Sequence, residues 1–210
     1  MTELALTGWA LVAVVVMLVA LWVAWVAAAR LDRLHRRVRD ARTTLDAQLV
    51  RRATAAWDLA ISGYLDPASS IVVATAARDA LDHMPGADVA LESPDGVEVV
   101  APDRRSTLED PPPPEEIDQA MAESELSRVL RAALGGPEDR AALAADDGAA
   151  ELLDRLNREW YRVQLARRFH NDAVVAARRI RAKGYVRLFR LAGHAPNPQT
   201  FELDDSTGLQ

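Results

Sequence analysis

The sequence predicts an all-α protein in which an N-terminal transmembrane helix continues into an elongated antiparallel helical bundle. Three observations point there. Residues 4–29 contain no charged side chain. Beyond them, apolar positions recur at spacings of three and four, the helical period. The periodic stretches are separated by proline and glycine clusters, which act as stops.

The first element is the anchor. Leu4 to Ala29 makes 26 positions dominated by Leu, Val, Ala and Trp, against the roughly 20 needed to cross a bilayer core of about 30 Å. Trp9, Trp22 and Trp25 lie toward its ends, where amphipathic rings favour the headgroup layer. A cleaved signal peptide needs a basic start and an apolar run of about 7–15 residues. Here Glu3 precedes the run and no Lys or Arg does, so the helix reads as a retained single-pass anchor in the cell membrane. Arg30, Arg33, Arg36, Arg37, Arg39 and Arg42 follow it, offset only by Asp32 and Asp40. The positive-inside rule then puts the N-terminus outside and the body in the cytoplasm.

The body starts without a break. Leu31, Leu34, Val38, Ala41 and Leu45 form a stripe, with Gln48 next in register, and Leu49, Ala53, Ala56 and Ala60 extend it toward Gly63. So narrow a stripe needs partner helices. Asp66 followed by Pro67 has the composition of a cap and first turn. That second helix should run through Ile71, Val72, Thr75 and Leu81 and stop before Pro85-Gly86. Residues 85–114 read as an acidic, proline-rich insertion, with a short strand conceivable at Val97, Val99 and Val100. A third helix fits Glu115 to Leu134, with Ile117, Met121, Leu126, Val129 and Leu130 near one side and Gly135-Gly136-Pro137 as its stop. The fourth and longest fits Ala149 to Lys183, with Leu152, Leu156, Trp160, Val163, Ala166, Ala173, Ala177 and Ile180 inward.

The chain thus divides into residues 1–30 (outer stub and anchor), 31–84 (two body helices), 85–114 (insertion), 115–184 (two further helices) and 185–210 (basic segment and polar tail). The long pair should form a spine with the shorter pair beside its far half. The fourth helix would then end near the membrane.

Bulk properties exclude several functions. A net charge of -6 argues against nucleic acid as a partner. The lack of cysteine removes disulfides, thiolate metal sites and a cysteine nucleophile. His35, His83, His170 and His194 show no paired ligand spacing. No phosphate loop or nucleophile elbow occurs. No catalytic residue, metal ligand or cofactor is expected, and the protein does not read as an enzyme.

Certain residues carry a family resemblance. Asp40-Ala41, the run Leu45 to Arg52 and Gly63-Tyr64 resemble the first body helix of LemA-family proteins. The stretch from Arg162 to Val174, with Ala166-Arg167 before Phe169 and Asn171-Asp172-Ala173-Val174, is similar to that family's most characteristic segment. Glu125-Leu126-Ser127 and Phe201-Glu202 fit as well. Departures occur at Trp57 to Ala60 and at Gly184 to Phe189, so the chain resembles a divergent member. The resemblance implies an N-terminal membrane helix, a largely helical body and no established enzymatic activity.

Two sets of residues remain as candidates. Asn171 and Asp172 match the family motif and could contact a partner, fix helix register, or simply satisfy each other inside the bundle. Arg178, Arg179, Arg181, Lys183, Arg187 and Arg190 are interleaved with the apolar residues of the segment 180–191. Together with Arg30, Arg33, Arg36 and Arg37 they form a candidate contact with an anionic bilayer, with Tyr185 to Leu191 resting on its surface or docking on the anchor. An ordinary solvated helix end is the alternative. The functional expectation is a membrane-anchored interaction or scaffold module with an unidentified protein partner. Homo-oligomers through the Leu31-Leu34-Val38 stripe stay open. The competing expectations are a ligand-binding or enzymatic bundle with a site between the long helices, and an accessory protein facing the cell envelope.

Overall fold

The computed structural model describes residues 2–84, 114–184, 186 and 197–203. Among them are five helices and no strand: α1 (Thr2–Ile61), α2 (Pro67–Asp82), α3 (Pro114–Leu134), α4 (Pro137–Ala144) and α5 (Asp147–Arg181). Insertion residues 85–113 and Tyr185, 187–196 and 204–210 of the tail lie outside the described residues, as do the readings placed on them.

α1 is one unbroken helix of 60 residues, about 90 Å long at 1.5 Å per residue. No proline interrupts it. It stops at Gly63, whose φ of 81° lies in the left-handed region that costs glycine little. The Ser62 hydroxyl donates to the Leu59 carbonyl at 2.7 Å, occupying one of the last acceptors of the helix. Asp66 then caps α2, accepting from Ala68 N at 3.0 Å and Ser69 N at 3.1 Å. Pro67 fills the first turn, where a missing N–H costs nothing. Asp146 caps α5 in the same way through Gly148 N and Ala149 N.

α1 has two halves. Side chains from Leu11 to Val23 are all exposed, and this helix near the N-terminus is long and apolar enough to cross a membrane. From Leu31 onward one face is covered. Leu31, Leu45, Leu49, Ala53, Ala56 and Leu59 are buried, chiefly against α5. The pairing has a clear order: His35 meets Arg181, Arg52 meets Trp160, and Asp58 meets Arg155. The stripe Leu31-Leu34-Val38 is therefore engaged within the chain, with Leu31 buried and Leu34 and Val38 half-buried.

α2 covers the far part of α1, and α3 packs on α2. The main core joins Ala53, Leu59, Val73, Ala77, Leu130 and Trp160. A second, smaller core lies nearer the apolar N-terminal half of α1, where Leu45, Leu49, Met84, Val163 and Ala166 enclose Phe201 and Leu203 of the tail.

Two details depart from the expected pattern. α4 is an extra short helix with Pro137 in its first turn and Leu143 as its one buried side chain. On α3, Leu126, Val129 and Leu130 are buried, but Ile117 and Met121 are exposed and Gln119 and Glu123 take the inward positions. Arg42 and Arg52 of α1 select that register by pairing with Gln119 and Glu123.

Candidate functional site

The inward positions expected to be aliphatic include a ladder of polar groups between α1 and its neighbours. Its upper rung is Arg52, fully buried on α1. The guanidinium pairs with the equally buried Glu123 carboxylate. It also donates to Ser127 Oγ at 2.9 Å and to the Glu123 carbonyl at 3.1 Å. Ser127 donates to that same carbonyl at 2.9 Å. The Trp160 ring of α5 lies 5.3 Å from the guanidinium carbon, within cation–π range. Burial pushes the Glu123 carboxyl up, and the charge of Arg52 pulls it back. Glu123 Oε1 and Trp160 Nε1 have no hydrogen-bond partner among the described residues. Such a pair adds little net stability but ties the register of α3 to α1, because a slipped register would strand both charges.

The next rung down is Arg42, Asp46 and Gln119. Arg42 bridges to Asp46 at 3.2 Å and donates to Gln119 Oε1, while Gln119 Nε2 donates to Asp46 at 3.3 Å. Arg42 also lies over the Phe201 ring at 4.7 Å. At the foot, near the anchor, Arg181 faces His35 Nε2 at 3.3 Å.

The tail is held as an extended peptide along α5. Arg178 donates to the Pro198 carbonyl at 2.8 Å and to the Gln199 side chain at 2.7 Å. His170 Nε2 lies 3.2 Å from the Gln199 carbonyl. Asn171 accepts from Phe201 N at 3.0 Å and donates to Phe201 O at 3.2 Å. Arg167 donates to the Leu203 carbonyl at 2.8 Å. The clamp residues 167, 170, 171 and 178 share one helix face because they are three, four and eleven apart. Beyond Pro198, the carbonyls they hold at 199, 201 and 203 follow the period of two of an extended chain. Burial holds the His170 imidazole below its ordinary value, partly offset by the Gln199 carbonyl. The outer edge of the tail and α3 bound an open groove of about 600 Å³, lined by Ile117, Met121, Ser124, Thr200 and Glu202.

The candidate residues separate. Asn171 reads the backbone of Phe201, whereas Asp172 is exposed on the other side of α5. Arg30, Arg33, Arg36, Arg37, Arg179 and Lys183 are exposed around the foot of the body. Arg36 pairs with Asp32 at 2.7 Å, and Arg33 Nε donates to the Ala29 carbonyl at 3.3 Å. Arg178 and Arg181 turn inward, to the tail and to His35. Arg187 and Arg190 lie outside the described residues. Val186, the one described residue of 185–191, is buried.

Sequence reasoning did not single out Arg52, Glu123, Arg167 or His170, and it named Asn171 and Arg178 without linking them to the tail. A buried ion pair leaves no periodic signal, and the extended stretch 197–203 has no helical period to read. Among the described residues, no group of three or more His, Asp or Glu side chains could hold a metal ion. The chain matches no family model, no curated protein and no solved structure.

Proposed function

We propose that the protein is a single-pass, membrane-anchored interaction module: an antiparallel bundle held at the cytoplasmic face of the cell membrane. One observation carries this reading most directly. α1 is continuous from an exposed apolar stretch, Leu11 to Val23, into a half whose face is packed from Leu31 onward. Water would not tolerate so large an apolar surface, and a bilayer accepts it. The descending order of contacts from His35–Arg181 to Asp58–Arg155 supports the antiparallel arrangement and brings the end of α5 back to the anchor. Arg30, Arg33, Arg36 and Arg37 then join Arg179 and Lys183 in a basic collar at the headgroups, each well-placed charge contributing about 1 kcal/mol toward an anionic leaflet.

The body's polar groups are spent on one another and on the tail, which favours a rigid scaffold over a catalyst. We also propose that the chain is a divergent LemA-family member. Two separate stretches that resemble the family, Asn171 in one and Phe201 in the other, meet in one bidentate contact.

Membrane integration is tested on the full chain by alkaline carbonate extraction of cell membranes. Retention in the pellet is expected, with release when residues 4–29 are deleted. Extraction of the intact chain would overturn the reading.

A further inference from the structure

We propose that the groove between α3 and the tail receives a basic, extended peptide segment of another protein, which lies along the tail as a second strand. This deepens the interaction-module reading, on which it rests, by naming the partner's chemistry. The way α5 holds the tail decides which of its edges is open. Asn171 takes both the N–H and the carbonyl of Phe201. In an extended chain the N–H and carbonyl of one residue leave the same edge, and those of the next residue leave the opposite edge. The backbone groups of Thr200 and Glu202 therefore project away from α5. Neither residue makes a hydrogen bond within the described residues. The tail is thus an extended chain with one edge satisfied and the other open, the template that strand addition uses.

The open edge borders the groove of about 600 Å³. Its other wall is α3, from which Ile117 and Met121 emerge 41 % and 60 % exposed. Alternate side chains of an added strand point into the groove, where these two residues favour apolar ones, and the intervening side chains stay at the rim. Charge at the rim selects the occupant. Glu116 of α3 and Glu202 of the tail stand on opposite walls, and neither has an ion pair within the described residues. Glu125 and Arg128 neutralise each other. The groove therefore offers uncompensated negative charge on both sides, which a segment with Lys or Arg between its apolar residues matches. The chain's own insertion has the wrong sign, since residues 85–113 carry seven carboxylates and two arginines.

The probe is a short, capped, fluorescent peptide of alternating lysine and valine, titrated against the full chain in nanodiscs of uncharged lipid and read by anisotropy. Saturable binding is expected. A peptide with glutamate in place of lysine, and the lysine peptide with its backbone nitrogens methylated, should each bind at least about tenfold more weakly. Glu116→Lys with Glu202→Lys should reverse the preference toward the glutamate peptide, an outcome that mere loss of structure cannot produce. Equal binding of the two charge types, binding that survives methylation, or no binding of the lysine peptide overturns the proposal. Binding that appears only when residues 87–111 are deleted also overturns it, and makes the chain's own insertion the occupant. Carbonate extraction of cell membranes separates the two readings. A retained chain that does not bind loses the peptide site and keeps the anchor, whereas an extracted chain that binds keeps the site and loses the anchor.

Discussion

The two halves of α1 share one backbone and one helical path, yet they differ in charge and meet opposite surroundings. Between Leu11 and Val23 the helix is apolar on every side, and no described element covers any of its faces. Between Leu31 and Ile61 it is apolar on one side only, and that side is shut beneath α5 and α2. The difference teaches that helix formation is not what distinguishes an anchor from a scaffold. What distinguishes them is whether polar residues divide the cylinder into faces. Arg52 makes the point most sharply. It sits on the covered face of the body half, where a charge survives only because Glu123, Ser127 and Trp160 receive it. The anchor half has no charge at all between Leu4 and Ala29.

That contrast can be broken in a graded series. The largest effect is expected from Glu123→Gln, which leaves the Arg52 charge buried without its counter-ion and should cost about 3–5 kcal/mol. Chemical denaturation of the full chain, followed by loss of helical signal, measures it. Arg52→Met with Glu123→Leu should recover most of the loss, since apolar groups of similar volume replace buried pairs well. Next comes a matched truncation in the two halves. Leu49→Ala should destabilise the body by about 3 kcal/mol, whereas Leu18→Ala, in the exposed half, should leave the same denaturation midpoint unmoved.

The reverse test puts a charge where none exists. Val16→Arg should cost about 2.5–3.5 kcal/mol of insertion free energy at the centre of the span, read as partial release on carbonate washing, while the body's helical content stays the same. A smaller effect is expected at the tail. Asn171→Ala removes both hydrogen bonds to Phe201 and should cost about 1–2 kcal/mol, with faster hydrogen exchange at Phe201 and nearby tail amides. Asp172→Ala, at the neighbouring exposed position, should do neither.

The smallest expected effect is one of pH. His170 is held neutral by burial, below its ordinary value of 6.5. Above that value the folded and unfolded chains are both neutral there, so the contribution is fully present. As the pH falls below it, the unfolded chain takes up a proton that the folded chain resists, and stability declines. The denaturation midpoint should therefore drop between neutral and mildly acid pH by more in the native chain than in His170→Gln. An equal drop in both would assign it to other groups.

Much of this architecture was legible in the residues. The uncharged run from Leu4 to Ala29, the Asp66-Pro67 start of α2 and the Gly135-Gly136-Pro137 stop of α3 act through local chemistry that a sequence states openly. The inward face of α3 was not legible, because Ile117 and Met121 look like core while Gln119 and Glu123 look like solvent. Only the partners across the interface, Arg42 and Arg52, reverse that reading. α4 escaped notice for a different reason, as eight residues with a single buried leucine carry almost no period. The tail clamp depended on long-range geometry. Nothing local links Asn171 to Phe201, thirty positions away, and the division of Asn171 from Asp172 follows only from the way α5 is turned.

The most direct test of the anchored, cytoplasmic body is the side of the membrane on which it stands. Ile71→Cys places one exposed thiol on α2 of the full chain, and a membrane-impermeant maleimide is applied to intact cells. The account predicts no labelling until the cells are lysed, followed by complete labelling. Labelling of intact cells would contradict it, placing the bundle outside the membrane and removing the positive-inside argument built on Arg30 to Arg42.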